Sequence, residues 1–253
     1  MLQSVLAFIF GAAIGSFATC VKDRLETNEP IFVDRSKCLS CNKKLNALEL
    51  VPVFSFIFLK GRCRTCKKTI PWDLFATEIF GGLMALVLYL NLGLSAPSVL
   101  LFLSLIFFFV ASLCDIKERQ VDLRIFLIGL FFALAFAILS LGSYLDALKI
   151  IYGIASATIL PAAFFYFSKE RWMGLGDVFF AIWAGLICNF PISIVAIALS
   201  FFLGALFGII LIAVKGRKGG TQVPFGPFIF AGTLISLFYG NEILNFYLKI
   251  LGI

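Results

Sequence analysis

The sequence has 253 residues, 61% hydrophobic, 16% aromatic and only 14% charged, against roughly 45–50% apolar and about 25% charged in soluble domains. No core of soluble size buries 31 Phe with a matching excess of Leu, Ile, Val and Ala, so a soluble globular protein, a disordered chain and a secreted disulfide scaffold are excluded. The net charge of +7 comes without a single His, which removes Ser-His-Asp triads, Cys-His pairs, HExxH metal sites and imidazole proton shuttles.

The expected fold is an all-α polytopic membrane protein of about eight transmembrane helices with a small cytoplasmic loop domain. The first apolar run, Leu2 to Val21, is long enough to cross a bilayer. No Lys or Arg precedes it, so it reads as a retained helix with its N-terminus outside rather than a signal peptide. One long polar stretch follows, from Lys22 to Pro71. The later apolar runs are Trp72–Leu92, Ser98–Cys114, Ile125–Leu141, Ala147–Phe167, Val178–Phe190, Ile192–Val214 and Pro227 to about Gly240. The sixth span is the weakest, because Asn189 to Pro191 leave almost no external loop. The tail, Asn241 to Ile253, reads as an interfacial amphipathic helix. The resulting division is residues 1–21, a loop domain at 22–71 and a seven-helix domain at 72–253.

Basic residues give this layout its orientation. Eleven lie between Lys22 and Pro71, and Lys117, Arg119, Arg124, Lys169, Arg171, Lys215, Arg217 and Lys218 lie in alternate later connections. Thus 19 of the 21 basic residues share one side and only Lys149 and Lys249 fall elsewhere. Positive charge is retained in the cytoplasm, so both termini are expected outside. The charge is accounted for by topology, and nucleic acid is not an expected partner.

Cys38 and Cys41, then Cys63 and Cys66, form two CxxC pairs with 21 residues between them. Each pair fits one tight knuckle of a tetrahedral four-thiolate zinc site. Disulfides are the alternative, but the basic residues place the loop in the reducing cytoplasm. Cys20, Cys114 and Cys188 lie in or beside spans and read as packing residues.

Without His, acid–base chemistry falls to carboxyl groups, Lys, Cys or Tyr. Asp73, Glu118 and Glu170 look like solvated edge charges. Glu78 lies inside the second span, where an ionisable group usually has a partner or a task. Asp115 ends the third span and Asp177 opens the sixth within Met173–Asp177, so topology puts both at the same cytoplasmic depth. Together they could share one proton, activate a water and protonate a departing amine. Singly, Asp177 also reads as a helix N-cap, and Asp115 as a charge neutralised by Lys117 or Arg119.

Several motifs carry a resemblance. Gly15-Ser16-Phe17 with Arg24-Leu25, the two CxxC pairs, Glu78 with Gly81 and Gly82, the Gly174-x-Gly176-Asp177 signature and Pro224-Phe225-Gly226-Pro227-Phe228 occur in this order. The chain resembles the type IV prepilin peptidases, GxGD membrane aspartic proteases of type IV pili and type II secretion. The resemblance implies that Asp115 and Asp177 are the catalytic pair, with Gly174, Gly176 and Glu78 in support and Cys38, Cys41, Cys63 and Cys66 on zinc. It implies a prepilin or pseudopilin substrate, cut after the glycine ending its basic leader. It further implies methylation of the new N-terminus with S-adenosylmethionine, and residence among membrane lipid in a bacterial inner membrane. Three positions depart from the family pattern: Phe179 replaces a Lys, Thr19 an Asn, and Val121-Asp122 lacks the usual proline. A proton-coupled transporter and a non-catalytic assembly component are the readings from other classes.

Overall fold

The computed structural model describes residues 2–30, 36–38, 40–118, 122–215 and 223–252. Arg35, Arg119, Val121, Arg217 and Lys218, all used in reading the sequence, lie outside the described residues. Among the described residues the chain is almost wholly helical: α1 (Leu2–Thr27), a 3-10 turn (Ala47–Leu50), α2 (Phe54–Phe58), α3 (Trp72–Leu92), α4 (Ala96–Glu118), α5 (Leu123–Leu139), α6 (Tyr144–Ser168), α7 (Leu175–Cys188), α8 (Ile192–Lys215) and α9 (Gly226–Leu251). Six of these, α1, α3, α4, α6, α8 and α9, are long and apolar enough to cross a bilayer, and α5 and α7 are shorter apolar helices. The protein is a multi-pass membrane protein, and the eight apolar runs of the sequence each become one helix.

The chain divides into two compact units, Met1–Val110 and Ala111–Ile253. In the first, α1 packs on α3. The pair is antiparallel, since Thr19 Oγ1 lies 2.7 Å from Thr77 Oγ1 while Tyr89 donates to Gln3 at 2.7 Å toward the other end. Gly11, Gly15 and Gly81 permit this: a Cβ on Gly11 would strike the Gly81 carbonyl, and one on Gly15 the Thr77 carbonyl. In lipid there is no hydrophobic gain from joining two apolar helices, so such backbone approach and the hydroxyl pair hold them together. Thr19, one of the departures from the resembled family's pattern, thus has its polar group satisfied across the helix pair.

In the second unit α7 packs against α5, α6, α8 and α9. Phe180, Ala181, Trp183 and Ala184 on it are fully buried. With 14 residues, α7 is only about 21 Å long, short of a hydrocarbon core of about 30 Å. Surrounded by helices, it has no lipid thickness to match. Asn189 to Pro191 join it to α8 directly, the tight connection expected between the sixth and seventh spans.

Beyond shifts of a few residues at helix ends, three features differ from the sequence reading. α1 continues past Val21 to Thr27 because the buried Lys22 ammonium pairs with Glu26 at 2.7 Å, one turn on. Asp73, expected as a solvated edge charge, is buried in the first turn of α3, where the positive end of the helix dipole receives a carboxylate. The tail is no separate interfacial helix: α9 runs unbroken to Leu251, since no breaker falls between Gly240 and the left-handed Gly252 that caps it.

Candidate active site and metal centre

Asp115 lies near the end of α4 and Asp177 in the first turn of α7, both within the second unit. Asp115 is 8% exposed and Asp177 is half-buried. Their helices meet at Gly226, where a Cβ would touch both Asp115 Oδ2 and the ring of Phe180, which follows Asp177 by three residues on α7. Each is held by a backbone N–H at a helix N-terminus, where amides lack partners inside their own helix. Gly226, the first residue of α9, donates to Asp115 Oδ2 at 3.0 Å. Gly174, just before α7, donates to Asp177 Oδ2 at 3.1 Å. Gly176 is half-buried in that same first turn. The cap of α7 is thus Gly174 rather than Asp177, which stands three residues on and reaches back with its carboxylate to the cap amide.

The sequence Pro224–Phe228 explains the Asp115 contact. Pro227, second in the helix, brings a fixed φ and no donor to lose. Phe225 packs on Phe201 at 4.9 Å and Phe228 on Phe207 at 5.4 Å between ring centroids, which fixes the entry of α9 against α8. The Gly226 N–H then points at the Asp115 carboxylate.

Phe179 stacks on Phe126 of α5 at 5.1 Å, and Trp183 meets the same ring edge-on at 5.5 Å. The aromatic residue at this departure from the family pattern thus ties α7 to α5. Asp122 caps α5 by accepting from the Arg124 N–H at 2.8 Å, and pairs with the Arg124 guanidinium at 2.9 Å. The Arg124 side chain, by hydrogen bond and charge, holds the Asp122 carboxyl below its ordinary range.

Glu78 is buried on α3 and accepts the Val53 N–H at 2.7 Å. Val53 has φ 64° and ψ −53°, and Phe54 N–H closes onto Pro52 O at 2.7 Å. This is the strained form of γ-turn, costing on the order of 1–3 kcal/mol at a β-branched residue. The Glu78 carboxylate is the tether that holds it.

The four loop cysteines gather with all Sγ atoms within 4.8 Å of one another, and Cys38 Sγ lies 3.9 Å from Cys66 Sγ. Four thiolates about 2.3 Å from one tetrahedral ion stand about 3.8 Å apart, so a metal ion fits. The two knuckles repeat one pattern. Cys38 N–H donates to Lys43 O and Asn42 N–H to Cys38 O; Cys63 N–H donates to Lys68 O and Lys67 N–H to Cys63 O. Asn42 and Lys67, each following its second cysteine, take the left-handed conformation at φ 55° and 59°. Backbone N–H groups of Cys66 and Thr65 at the Cys63 sulfur lower that thiol to about 6. Cys41, although its sulfur accepts from the Lys43 backbone, is raised to about 11 by burial and the neighbouring sulfurs. A cation bound among them would hold all four as thiolates. Cys114 and Cys188 are buried in packing positions, as expected, and Cys20 is half-buried.

Comparison with known proteins covers most of the chain. The Bacterial Peptidase A24 N-terminal domain matches residues 9–92, and the Type IV leader peptidase family matches residues 101–209. A protein of Bacillus subtilis (strain 168) named prepilin leader peptidase/N-methyltransferase is 30% identical over 249 residues, covering 96% of this chain and 97% of the relative. Proteins of the same name from Aeromonas salmonicida (strain A449) and Pseudomonas putida are 28% and 26% identical, with 96% and 98% of this chain and 93% and 94% of the relatives covered. No solved structure matches the chain. The four cysteines fall in the first matched segment and the two aspartates in the second; the chain belongs to the type IV leader peptidase family.

Proposed function

We propose that the protein is a membrane aspartic endopeptidase that removes the basic leader of type IV prepilins and pseudopilins, cutting after the glycine that ends the leader. The observation that carries this reading is that Asp115 and Asp177 stand at two helix ends of the second unit, each anchored by a backbone amide. Two carboxylates under each other's influence hold one proton between them. The ionised one takes a proton from water as its oxygen attacks the scissile carbonyl carbon. The protonated one donates to the carbonyl oxygen; as the C–N bond then breaks, the first gives the proton it took from water to the departing amine, and a hydroxyl of the intermediate returns a proton to the second. Glu78 acts in support, by holding the turn at Val53, and the glycines Gly174 and Gly176 shape the approach to Asp177.

In this reading the protein lies in a bacterial inner membrane with its aspartates on the cytoplasmic side and both termini outside. The distribution of 19 of 21 basic residues supports that orientation. A prepilin with its apolar helix in the bilayer presents its leader junction at that depth. Purified protein with a prepilin-like substrate is expected to release a leader ending in glycine, identified by mass. No release from any of several such substrates would defeat the reading.

The same reading includes methylation of the new N-terminus. S-adenosylmethionine would supply the methyl group, as the names of the relatives suggest. Cleaved product is expected to gain 14 mass units, about one methylene, only when the donor is present. Product unchanged in mass with the donor would restrict the protein to proteolysis.

The metal is proposed to be a structural zinc ion on Cys38, Cys41, Cys63 and Cys66, stapling a loop too small for its own core. Elemental analysis is expected to find about one zinc per chain, and Cys63→Ser to lower it at least about tenfold. Full zinc content in that variant would contradict the ligand set.

A further inference from the structure

The loop between α1 and α3 carries an apolar face that neither the metal centre nor the aspartate pair uses. One side of α2 is spent inward: Phe56 stacks on Phe75 with centroids 4.4 Å apart and rings 17° from parallel. Phe75 is in the first turn of α3, about 4.5 Å of helix rise from where that span begins. α2 therefore lies beside the membrane-entry turn of α3. Its other side presents Phe54, Ile57 and Phe58, spaced i, i+3, i+4 and 55%, 57% and 79% exposed. Leu48 and Trp72 are exposed with them.

Beside this face opens a cavity of about 450 Å³ lined by Phe58, Leu59, Lys60, Arg62, Arg64 and Lys67, with Cys63 at its wall. Lys60, Arg62, Lys67 and Lys68 are exposed and make no ion pair among the described residues. A zinc ion with four thiolates carries a net charge of about −2, so these cations with Arg64 remain in excess beside it.

We propose that this face docks on anionic phospholipid. Phe54, Ile57 and Phe58 enter the acyl boundary of the leaflet, and Lys60, Arg62, Arg64, Lys67 and Lys68 hold phosphodiester headgroups, one of them in the cavity beside Arg62 and Lys67. Lipid is the occupant because both ends of the loop are fixed at one bilayer face by the antiparallel α1 and α3. The apolar side chains and the cations thus lie at the depth where acyl chains give way to phosphate. This is the composition of an interfacial anchor, apolar and aromatic on one face with Lys and Arg alongside. Docking holds the Cys63–Cys66 knuckle against the leaflet.

The test is amide hydrogen exchange of residues 54–68 in the full-length, zinc-containing protein. It is placed in nanodiscs of phosphatidylcholine alone or with about one-third phosphatidylglycerol. Exchange is expected to slow at least about fivefold in the anionic discs, each basic residue at the surface contributing a factor of this order. Replacing Lys60, Arg62, Arg64, Lys67 and Lys68 by Gln removes the difference while zinc content stays. Phe54→Ser with Ile57→Ser and Phe58→Ser removes it with the cations untouched. Equal exchange of the parent protein in the two lipids overturns the proposal. So does equal protection in phosphatidylcholine discs by free inorganic phosphate, or in detergent by a poly-glutamate peptide, which would assign the face to a soluble anion or an acidic protein.

Discussion

Replacing Asp115 or Asp177 by Asn lowers kcat/KM for leader cleavage about a thousandfold, and replacing both lowers it little further. Groups that act as a unit on one bond are non-additive: once either is lost, the other has no partner with which to divide the proton transfers. Asn preserves side-chain volume. Its Oδ1 still accepts from the Gly226 N–H at position 115 or the Gly174 N–H at position 177, so the helix ends keep their amide contacts. The loss is then chemical rather than structural. Cleavage measured against the amount of protein recovered in the membrane separates the two. A double variant another thousandfold slower than either single one would mean that the aspartates act in separate steps.

Gly226→Ala produces the second large effect, about a hundredfold loss in kcat with little change in KM. A Cβ there would fall 2.5 Å from Phe180 Cε2 and 2.7 Å from Asp115 Oδ2. Phe180 is fully buried on α7, which is enclosed by α5, α6, α8 and α9, so the ring has nowhere to retreat. The strain falls on the carboxylate and on the amide that orients it, and displacement of a reacting group by about 1 Å costs about this much. Gly208→Ala is the control. No atom lies within 4 Å of a Cβ at that position in α8, and Ala is the better helix former, so activity stays within about twofold. A Gly226→Ala enzyme of parental kcat would remove the Asp115 anchor from the account.

The eight apolar helices and the four-cysteine cluster were legible because each depends on local composition or spacing. Asp115 and Asp177 stood out together for a topological reason: counting spans puts a helix end and a helix start at one expected depth. The contacts that hold them were not legible. A carboxylate accepting a backbone N–H leaves no mark on the donor residue, so nothing in the chain joins Asp115 to Gly226, 111 positions away. Pro224–Phe228 is recognisable by resemblance, yet the need for glycine in it comes from the crowding of Phe180 and Asp115. Glu78 is conspicuous as an intramembrane acid, but its partner is the amide of Val53, whose strained turn no propensity rule would assign to valine. Asp73 misled for the opposite reason. A charge at a span edge ordinarily faces water, and only the packing of the first unit buries it. At Phe179, composition marks a departure from the family pattern, while the stacked Phe126 ring supplies its purpose.

The central claim is that two carboxylates of this chain act together on one peptide carbonyl. A prepilin-like ligand whose scissile bond after the leader glycine is replaced by a hydroxyl-bearing isostere tests it most directly, since that hydroxyl mimics the tetrahedral transition state. The parent protein should bind the isostere at least about a hundredfold more tightly than the uncut sequence. Asp115→Asn and Asp177→Asn should each abolish that excess while leaving affinity for the uncut sequence unchanged. Equal affinity of the parent for the two ligands, or an excess that survives in either variant, would contradict the account.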